Sequence, residues 1–594
     1  MTTSTAGAIR SGTLPVVLIA AVVQGWSLYA LHIAIKESHW PATAPAWLLA
    51  LYAIALFVPL TVQLLAQHAR YASAWFIVGS LAVLYLYFGW HHGANAMDRQ
   101  ATRFADSGEW FPMAFVLGVL WLLMLPFIQC RLAQGSWRVR YEALFATAWR
   151  NKLLLAEAAL FTGLFWLLLL LWQELFGMLG IAFFKELFQQ PLFAYPVTSL
   201  TFGIALHLIG SVERVTAVVL EQVLNVLKWL AIVAGLILAL FTIALVLKLP
   251  GMIASGERAI SAAWLLWLVA ITVLLVNAAY RDGSTEQPYP RPIGLALRCV
   301  IPLTVVVAIT SLYALYIRID SYGYTVERVW ASIVAVAACV YAGGYAFVAI
   351  TAQRWMASVR TVNIVAALFL IVAIGLALTP VLSPYRIAAN SQFALAQEPP
   401  RPPNPRFGQT VTPMHYLRFN SGEYGVKRLR ELAAIQGHPR ATEIRASAAA
   451  MLAQQDEWQP SVPENLRERL AAMTVYPQGR PIDATLLQRL EEDARDPQLG
   501  RLYVAPSAKF GGAFVDLDAD QVDEFVLIMS PTIYVYGQQC NEWHRLGTMT
   551  SRGNTANQDL VSLLGTAAVQ VEKPRWGELK IGKHTLHMSA ESDD

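Results

Sequence analysis

Charge is what this 594-residue sequence has least of: Asp, Glu, Lys and Arg together make 14% of it, where a soluble domain carries about 25%. A chain so poor in charge and 56% hydrophobic is not built to be solvated all round. The net charge of +4 is small and spread along the chain, which excludes a nucleic-acid footprint. Cysteine is scarce too. Cys299 and Cys339 lie inside apolar runs, Cys130 ends another, and Cys540 is alone in the polar C-terminal region. No intramolecular disulfide framework and no CxxC metal or redox pair follows from them. There is no GxxxxGK[ST] phosphate loop, no HExxH and no GxSxG, so three common catalytic frameworks have no foothold. Histidines and serines of the C-terminal region have no spacing that suggests a triad.

What is abundant is long apolar runs, nearly all before residue 385. A helix needs about 20 mostly apolar residues to cross a bilayer. Eleven stretches qualify: 14–35, 47–66, 74–90, 113–130, 153–176, 193–210, 229–249, 262–279, 299–317, 331–351 and 364–382. The first exceeds a signal-peptide core and reads as an uncleaved span. The sixth opens with "QPLFAYPVTSL", whose two prolines also allow an interfacial turn. The segment 138–152, "RVRYEALFATAWRNK", has helical spacing of Tyr141, Leu144, Phe145 and Trp149, and reads as a helix lying along the membrane surface. Arg131, Arg138, Arg140, Arg150 and Lys152 make the loop after the fourth span the clearest cytoplasmic one. Counting from it, the N-terminus with Arg10 is cytoplasmic and the C-terminal region lies outside, in the periplasm of a Gram-negative cell.

The expected fold class is therefore an α-helical polytopic membrane protein followed by a soluble α+β domain. The expected divisions are a membrane domain over 1–389, a Pro-rich linker over 390–420, a helical segment over 421–496 and a β-rich domain over 497–594. "QEPPRPPNPRFGQTVTP" (397–413) is a stiff, extended stretch. Amphipathic helices are expected near 422–436, 439–455, 462–474 and 484–495, the third capped by Ser461 with Glu464 in "SVPE". From 497 the texture becomes that of strands, "RLYVAP", "GAFVDLD", "FVLIM", "TIYVYG", "LVSLLG", "AAVQVE" and "GELKIGKHTLHM", expected as an antiparallel unit.

Between spans nine and ten stands a dense polar knot, "RIDSYGYTVERVW" (318–330). Gly323 permits a tight turn, Tyr322, Tyr324 and Trp330 suit a membrane interface, and Thr325, Glu327 and Arg328 follow it. "SPYR" (383–386) ends at the same face, so Tyr385 and Arg386 join Arg318 and Asp320 there, and Arg386 is placed to pair with Asp320 or Glu327. Two readings stand: a structural clasp that fixes the C-terminal region to the membrane helices, and a binding site. "YGYTVERVW" preceded by "LYALYIRI", "SPYRIAANSQ" (383–392), "NAAYRDG" (277–283) and "HYLRFNSGEYG" (415–425) together resemble bacterial membrane proteins grouped as domain of unknown function 4153. The resemblance covers most of the chain from the fifth span onward. It implies a fold and a membrane location, and brings neither an activity nor functional residues.

Ionisable groups inside a membrane are costly, which makes them candidates for function. Glu157 in span five and His207 in span six stand at matching depth. They read either as an interhelical hydrogen bond or as a proton relay. Glu174 and Lys248 sit near span ends, where they can snorkel. "HHGANAMDRQATRFADSGEW" (91–110) reads as a solvated loop, since adjacent histidines point about 100° apart on a helix and suit one metal poorly. "DLDADQVDEFVL" (516–527) looks like the calcium loop of integrin-type FG-GAP repeats. Asp516, Asp518, Asp520 and Glu524 occupy positions 1, 3, 5 and 9, the spacing of oxygen ligands for calcium. Ala519 and Gln521 stand where such loops often have glycine, and an acidic turn without metal is the other reading. Calcium in this loop is one of the two readings, and no cofactor is otherwise expected.

Three functions fit these residues. The first is a non-enzymatic envelope anchor or transducer in the bacterial inner membrane, its periplasmic tail binding a partner protein or wall component. The second is a transporter or lipid-handling protein that uses Glu157 and His207. The third is a membrane glycosyl or acyl transferase, whose early outer loop, "KESHWPATAP", offers only Glu37 and His39. The lipid bilayer is a partner in all three.

Overall fold

The computed structural model describes residues 11–95, 110–255, 261–281, 288–351, 358–399, 412–454, 466–494, 510–529, 532–539, 542–549, 579–581 and 584–586. Packing divides the chain into two compact units, Met1–Leu452 and Ala453–Asp594. Composition turns polar near residue 389, but the packing boundary comes later because the helices after the last span fold back onto the membrane helices.

Up to the boundary the chain forms α1 (Leu14–Lys36), α2 (Pro45–Leu64), α3 (Ala72–Asn95), α4 (Trp110–Gln134), α5 (Tyr141–Met178), α6 (Phe183–Gln189), α7 (Pro191–Ser211), α8 (Glu213–Ser255) and α9 (Ala262–Tyr280). It continues with α10 (Arg291–Val300), α11 (Leu303–Tyr322), α12 (Val326–Thr351), α13 (Val359–Ala377), α14 (Pro384–Gln397), α15 (Pro413–Phe419), α16 (Gly422–Ala433) and α17 (Ala441–Ala453). Eleven segments are long and apolar enough to cross a membrane: α1 to α5, α7 to α9, α10 with α11, α12 and α13. Each overlaps one of the eleven stretches expected from hydropathy. The chain is a multi-pass membrane protein.

Three details differ from expectation for local reasons. The two prolines of the sixth stretch do not make a turn: Pro191 sits in the first turn of α7, where its missing N–H breaks no bond, and Pro196 is carried inside the helix. Residues 141–152 are not a separate surface helix but the start of α5, whose 38 residues extend about 57 Å, well beyond the ~30 Å hydrocarbon core. Pro302, which cannot donate to the helix ladder, parts α10 from α11.

One core joins α2, α3 and α4 through Leu49, Phe57, Tyr85, Leu117, Trp121 and Leu125. Within it Trp121 Nε1 donates to Thr61 Oγ1 at 2.8 Å, and that hydroxyl donates to the Phe57 carbonyl at 2.6 Å. A second core lies among α9, α11 and α12, around Leu265, Val269, Val307 and Ala335. Asn363 Nδ2 donates to Tyr141 Oη at 2.6 Å and Asn363 Oδ1 accepts from Tyr345 Oη at 2.9 Å, which links α5, α12 and α13. Such chains satisfy polar side chains where water is absent. Beyond the last span, Ala389, Ala396, Leu417, Leu429, Leu432 and Ile444 bind α14 to α17 into one apolar cluster. Arg428 Nε donates to Asn390 Oδ1 at 2.9 Å and Arg440 Nη1 to the Glu398 carbonyl at 2.7 Å, which adds polar ties across it. Of the extended stretch expected over 397–413, residues 400–411 lie outside the described residues; its flanks belong to α14 and α15.

The second unit holds α18 (Leu466–Ala471), β1 (Thr474–Tyr476), α19 (Ala484–Asp493), β2 (Gly511–Val515), β3 (Glu524–Met529), β4 (Thr532–Gln539), β5 (Glu542–Met549), β6 (Leu579–Ile581) and β7 (His584–Leu586). The sheet has the order β1-β2-β3-β4-β5, and β6 pairs with β7. It is mixed rather than antiparallel throughout: β1 runs parallel to β2, as a connection that carries a helix allows. Its core gathers Leu470, Leu486, Leu490, Phe514, Phe525 and Tyr536. Asp483 caps α19, its side chain accepting from the Thr485 N–H at 3.3 Å. The expected "SVPE" cap and the strands "RLYVAP", "LVSLLG" and "AAVQVE" lie outside the described residues, as does Cys540.

Candidate functional site

The polar knot is the junction between α11 and α12. Arg318, Asp320 and Tyr322 lie on the last turn of α11, and Gly323 ends that helix at φ 71° and ψ −178°. This backbone region is essentially open to glycine alone. A Cβ there would also meet Leu395 Cδ1 at 2.5 Å and Ser391 Oγ at 2.7 Å, so the turn is pressed directly under α14. Gln392 Nε2 donates to the carbonyls of both Tyr322 and Tyr324, each at 2.9 Å, and Ser391 Oγ accepts from the Tyr324 N–H at 2.9 Å.

The first N–H groups of α12 have no partners inside the helix. Thr325 Oγ1 accepts from the Arg328 N–H at 3.3 Å, and Tyr416 Oη, from α15, accepts from the Val326 N–H at 2.7 Å. Arg328 Nη1 donates to the Gly323 carbonyl at 2.6 Å, with its guanidinium 5.8 Å from the centre of the Tyr322 ring. Burial, followed by the charge of Glu327, pushes the Tyr416 phenol well above its ordinary value. The hydroxyl therefore stays protonated and neutral. α14 and α15 thus close over the 318–330 turn as a clasp made of named hydrogen bonds.

Behind the clasp is a cavity of about 190 Å³. Pro112, Met113 and Val116 of α4 and Leu378 form its apolar wall. His92, Glu327, Trp330, Tyr385 and Asn420 bring polar or aromatic groups. The wall is shared: α3, α4 and α12 supply one side, and Tyr385 and Asn420, which follow the last span in sequence, supply the other. His91 and His92 do not lie in a solvated loop, because α3 continues to Asn95 and packs tightly on α2. A Cβ at Gly93 would meet the Pro45 carbonyl oxygen at 2.5 Å. His91 is 5% exposed. The His92 ring stands edge-on to Tyr385, with centroids 5.5 Å apart and planes at 79°. His92 Nε2 is buried without a hydrogen-bond partner among the described residues. A smaller void of about 10 Å³, between the two histidines and Ser383, has room for about one water.

The remaining candidates are placed as follows. Arg386 Nη2 donates to the Val381 carbonyl at 2.9 Å, and among the described residues no ion pair joins Arg386 to Asp320 or Glu327. Glu157 on α5 and His207 on α7 do not form the expected pair. Glu157 Oε2 and His207 Nδ1 are each buried without a partner among the described residues. Matching depth sets height along the helices but not the direction each side chain faces. In the acidic loop, Asp516, Asp518 and Glu524 bring carboxylate oxygens within 4.8 Å of one another, a donor set suited to a hard cation, while Asp520 is not in that group. The carboxylates also close the loop themselves. Glu524 Oε2 accepts from the Leu517 N–H at 2.7 Å, Asp516 Oδ2 from Gln521 at 3.0 Å, and Asp520 Oδ1 from Val522 at 2.7 Å. Ala519 and Gln521 adopt φ of 67° and 71°, the left-handed conformation that glycine holds without strain.

The helices, clasp and cavity lie almost wholly within the part of the sequence that matches a known family, the Domain of unknown function (DUF4153), over residues 47–418. The chain belongs to the DUF4153 family. The match begins in α2 and ends in α15, two residues after Tyr416, so the DUF4153 region includes the clasp and all of the cavity lining except Asn420. No curated protein and no solved structure matches the chain.

Proposed function

We propose that this DUF4153 protein is a non-catalytic ligand-binding transducer of a bacterial inner membrane, with its N-terminus cytoplasmic and its C-terminal region periplasmic. The basic residues that follow α4, Arg131 to Lys152, support this orientation. The cavity then faces the periplasm, because it lies at the opposite end of α4. A small molecule enters it, and the clasp passes its presence to the residues that follow, which bind an envelope protein or wall component.

One observation carries the reading: Tyr385 and Asn420 wall the same cavity as membrane helices that hold a buried His92 Nε2 with no partner among the described residues. A plain anchor has no use for such a space. The test is native mass spectrometry of the full chain extracted from its own membrane, beside Val116→Trp, which fills the cavity. A bound small molecule that is present in the wild type and absent from Val116→Trp is expected. An identical spectrum from both would overturn the reading.

A second reading, transport or lipid handling, is favoured by Glu157 Oε2 and His207 Nδ1, buried within the membrane helices with no partner among the described residues. It requires that Glu157→Gln alter uptake or lipid composition at normal expression. An unchanged phenotype would remove it.

A further inference from the structure

The lining of the cavity says what its ligand carries. Among the described lining residues Glu327, itself exposed, has the sole formal charge, and no lysine or arginine is among them. The charge of the neighbouring Arg328 acts on Glu327, but its Nη1 is given to the Gly323 carbonyl, and among the described residues no ion pair joins the two. His92 adds a buried ring nitrogen with no partner among the described residues, which in its unprotonated tautomer accepts from a ligand N–H or O–H. Trp330 and Tyr385 add aromatic surface, which attracts a cation within about 6 Å of a ring. A carboxylate, an unpartnered nitrogen and two aromatic rings suit a group that is positive and also donates hydrogen bonds. They disfavour an anion, which would meet Glu327 with no lysine or arginine among the described lining residues.

The volume of about 190 Å³ is below the 300–1,000 Å³ of drug-sized pockets. It admits a head group and a short alkyl part against Met113 and Val116, not a whole lipid. We infer that the cavity is a binding site for a primary ammonium group joined to an apolar chain. The inference rests on the ligand-binding reading above and deepens it. A lipid amine and a small water-borne alkylamine share this chemistry.

The test uses the full chain in a neutral maltoside detergent at pH 7.5, with thermal stabilisation as the readout. A ligand that binds only the folded form raises the midpoint saturably. The probes are octylammonium, octyltrimethylammonium, octanol and octanoate. Octylammonium is expected to stabilise best. Octyltrimethylammonium, which has no N–H for His92 and Glu327, is expected to be weaker, and octanol and octanoate inactive. Glu327→Gln should weaken octylammonium at least tenfold, and Glu327→Asp, which keeps the charge, should retain most of the affinity. Saturation by ethylammonium at equal concentration would support a water-borne amine; a requirement for the octyl chain would support a membrane-borne one. If octanol stabilises as well as octylammonium, and both effects vanish in Val116→Trp, the ammonium inference is overturned while ligand binding stands. If Val116→Trp leaves every probe's effect unchanged, the cavity reading falls with it.

Discussion

The clasp can be tested with the loss of one oxygen atom. Tyr416→Phe keeps the ring in its buried place, 8% exposed, and deletes the hydroxyl that accepts from the Val326 N–H at 2.7 Å. Val326 opens α12, so its N–H has no partner within the helix. The group is part-buried, and leaving it unpaired costs up to about 1–3 kcal/mol. Because the lost bond joins α15 to α12, the cost falls on opening of the clasp and not on the membrane helices. At about 1.4 kcal/mol per tenfold, the middle of that range speeds opening roughly 30-fold. Hydrogen exchange followed by mass spectrometry reads this directly, since local opening sets the exchange rate of protected amides. Peptides covering 412–433 should exchange faster in Tyr416→Phe, while α2 to α4 keep wild-type rates. Unchanged exchange in 412–433, or equal acceleration everywhere, would refute the assignment of Tyr416 as a local tie.

Three further outcomes follow from the same geometry. Gly323→Ala should destabilise the first unit by about 2–4 kcal/mol, from a disfavoured backbone and overlap with Ser391 and Leu395, seen as a fall in thermal midpoint. A neutral midpoint would mean that the turn relaxes freely. The phenol of Tyr416 titrates above its ordinary value of 10.0 when folded, so its contribution is complete below pH 10 and lost as pH rises past it. The midpoint should therefore fall between pH 9.5 and 11 more steeply in the wild type than in Tyr416→Phe; parallel curves would exclude this role. Gln521→Gly should stabilise the second unit by about 0.5–1 kcal/mol in urea, since relief of a left-handed φ of 71° exceeds the entropy that glycine adds to the unfolded chain. Destabilisation would show that the Gln521 side chain contributes more than its backbone costs.

Hydropathy located all eleven spans because a bilayer demands about 20 apolar residues per helix whatever the protein does. The knot at 318–330 stood out for a related reason: a dense polar cluster beside two spans has few uses other than a junction or a site. The partners that the knot meets were less legible. Arg386 is close in sequence to the right surface, but sequence spacing does not set side-chain direction, and the arginine turns to Val381. His92 looked like loop because "HHGAN" is polar. The available signal was Gly89 and Gly93, spaced one turn apart, which bring α3 against α2 and carry the histidines into the bundle. Tyr416 and Asn420 were visible only as letters of a family motif, since nothing local to α15 points toward α12. In the second unit β5 was missed because "EWHRLGTM" is too polar to read as a strand; among the described strands it lies at the sheet edge, paired with β4.

The central claim is that the cavity and the clasp are one device. Hydrogen exchange of 412–433 in the full-length wild type, with and without saturating octylammonium, tests it most directly. Tyr385 and Asn420 line the cavity, so occupancy should hold the clasp shut and slow exchange in 412–433, and Val116→Trp should abolish the slowing. Saturable binding that leaves 412–433 exchanging at the unliganded rate would contradict it.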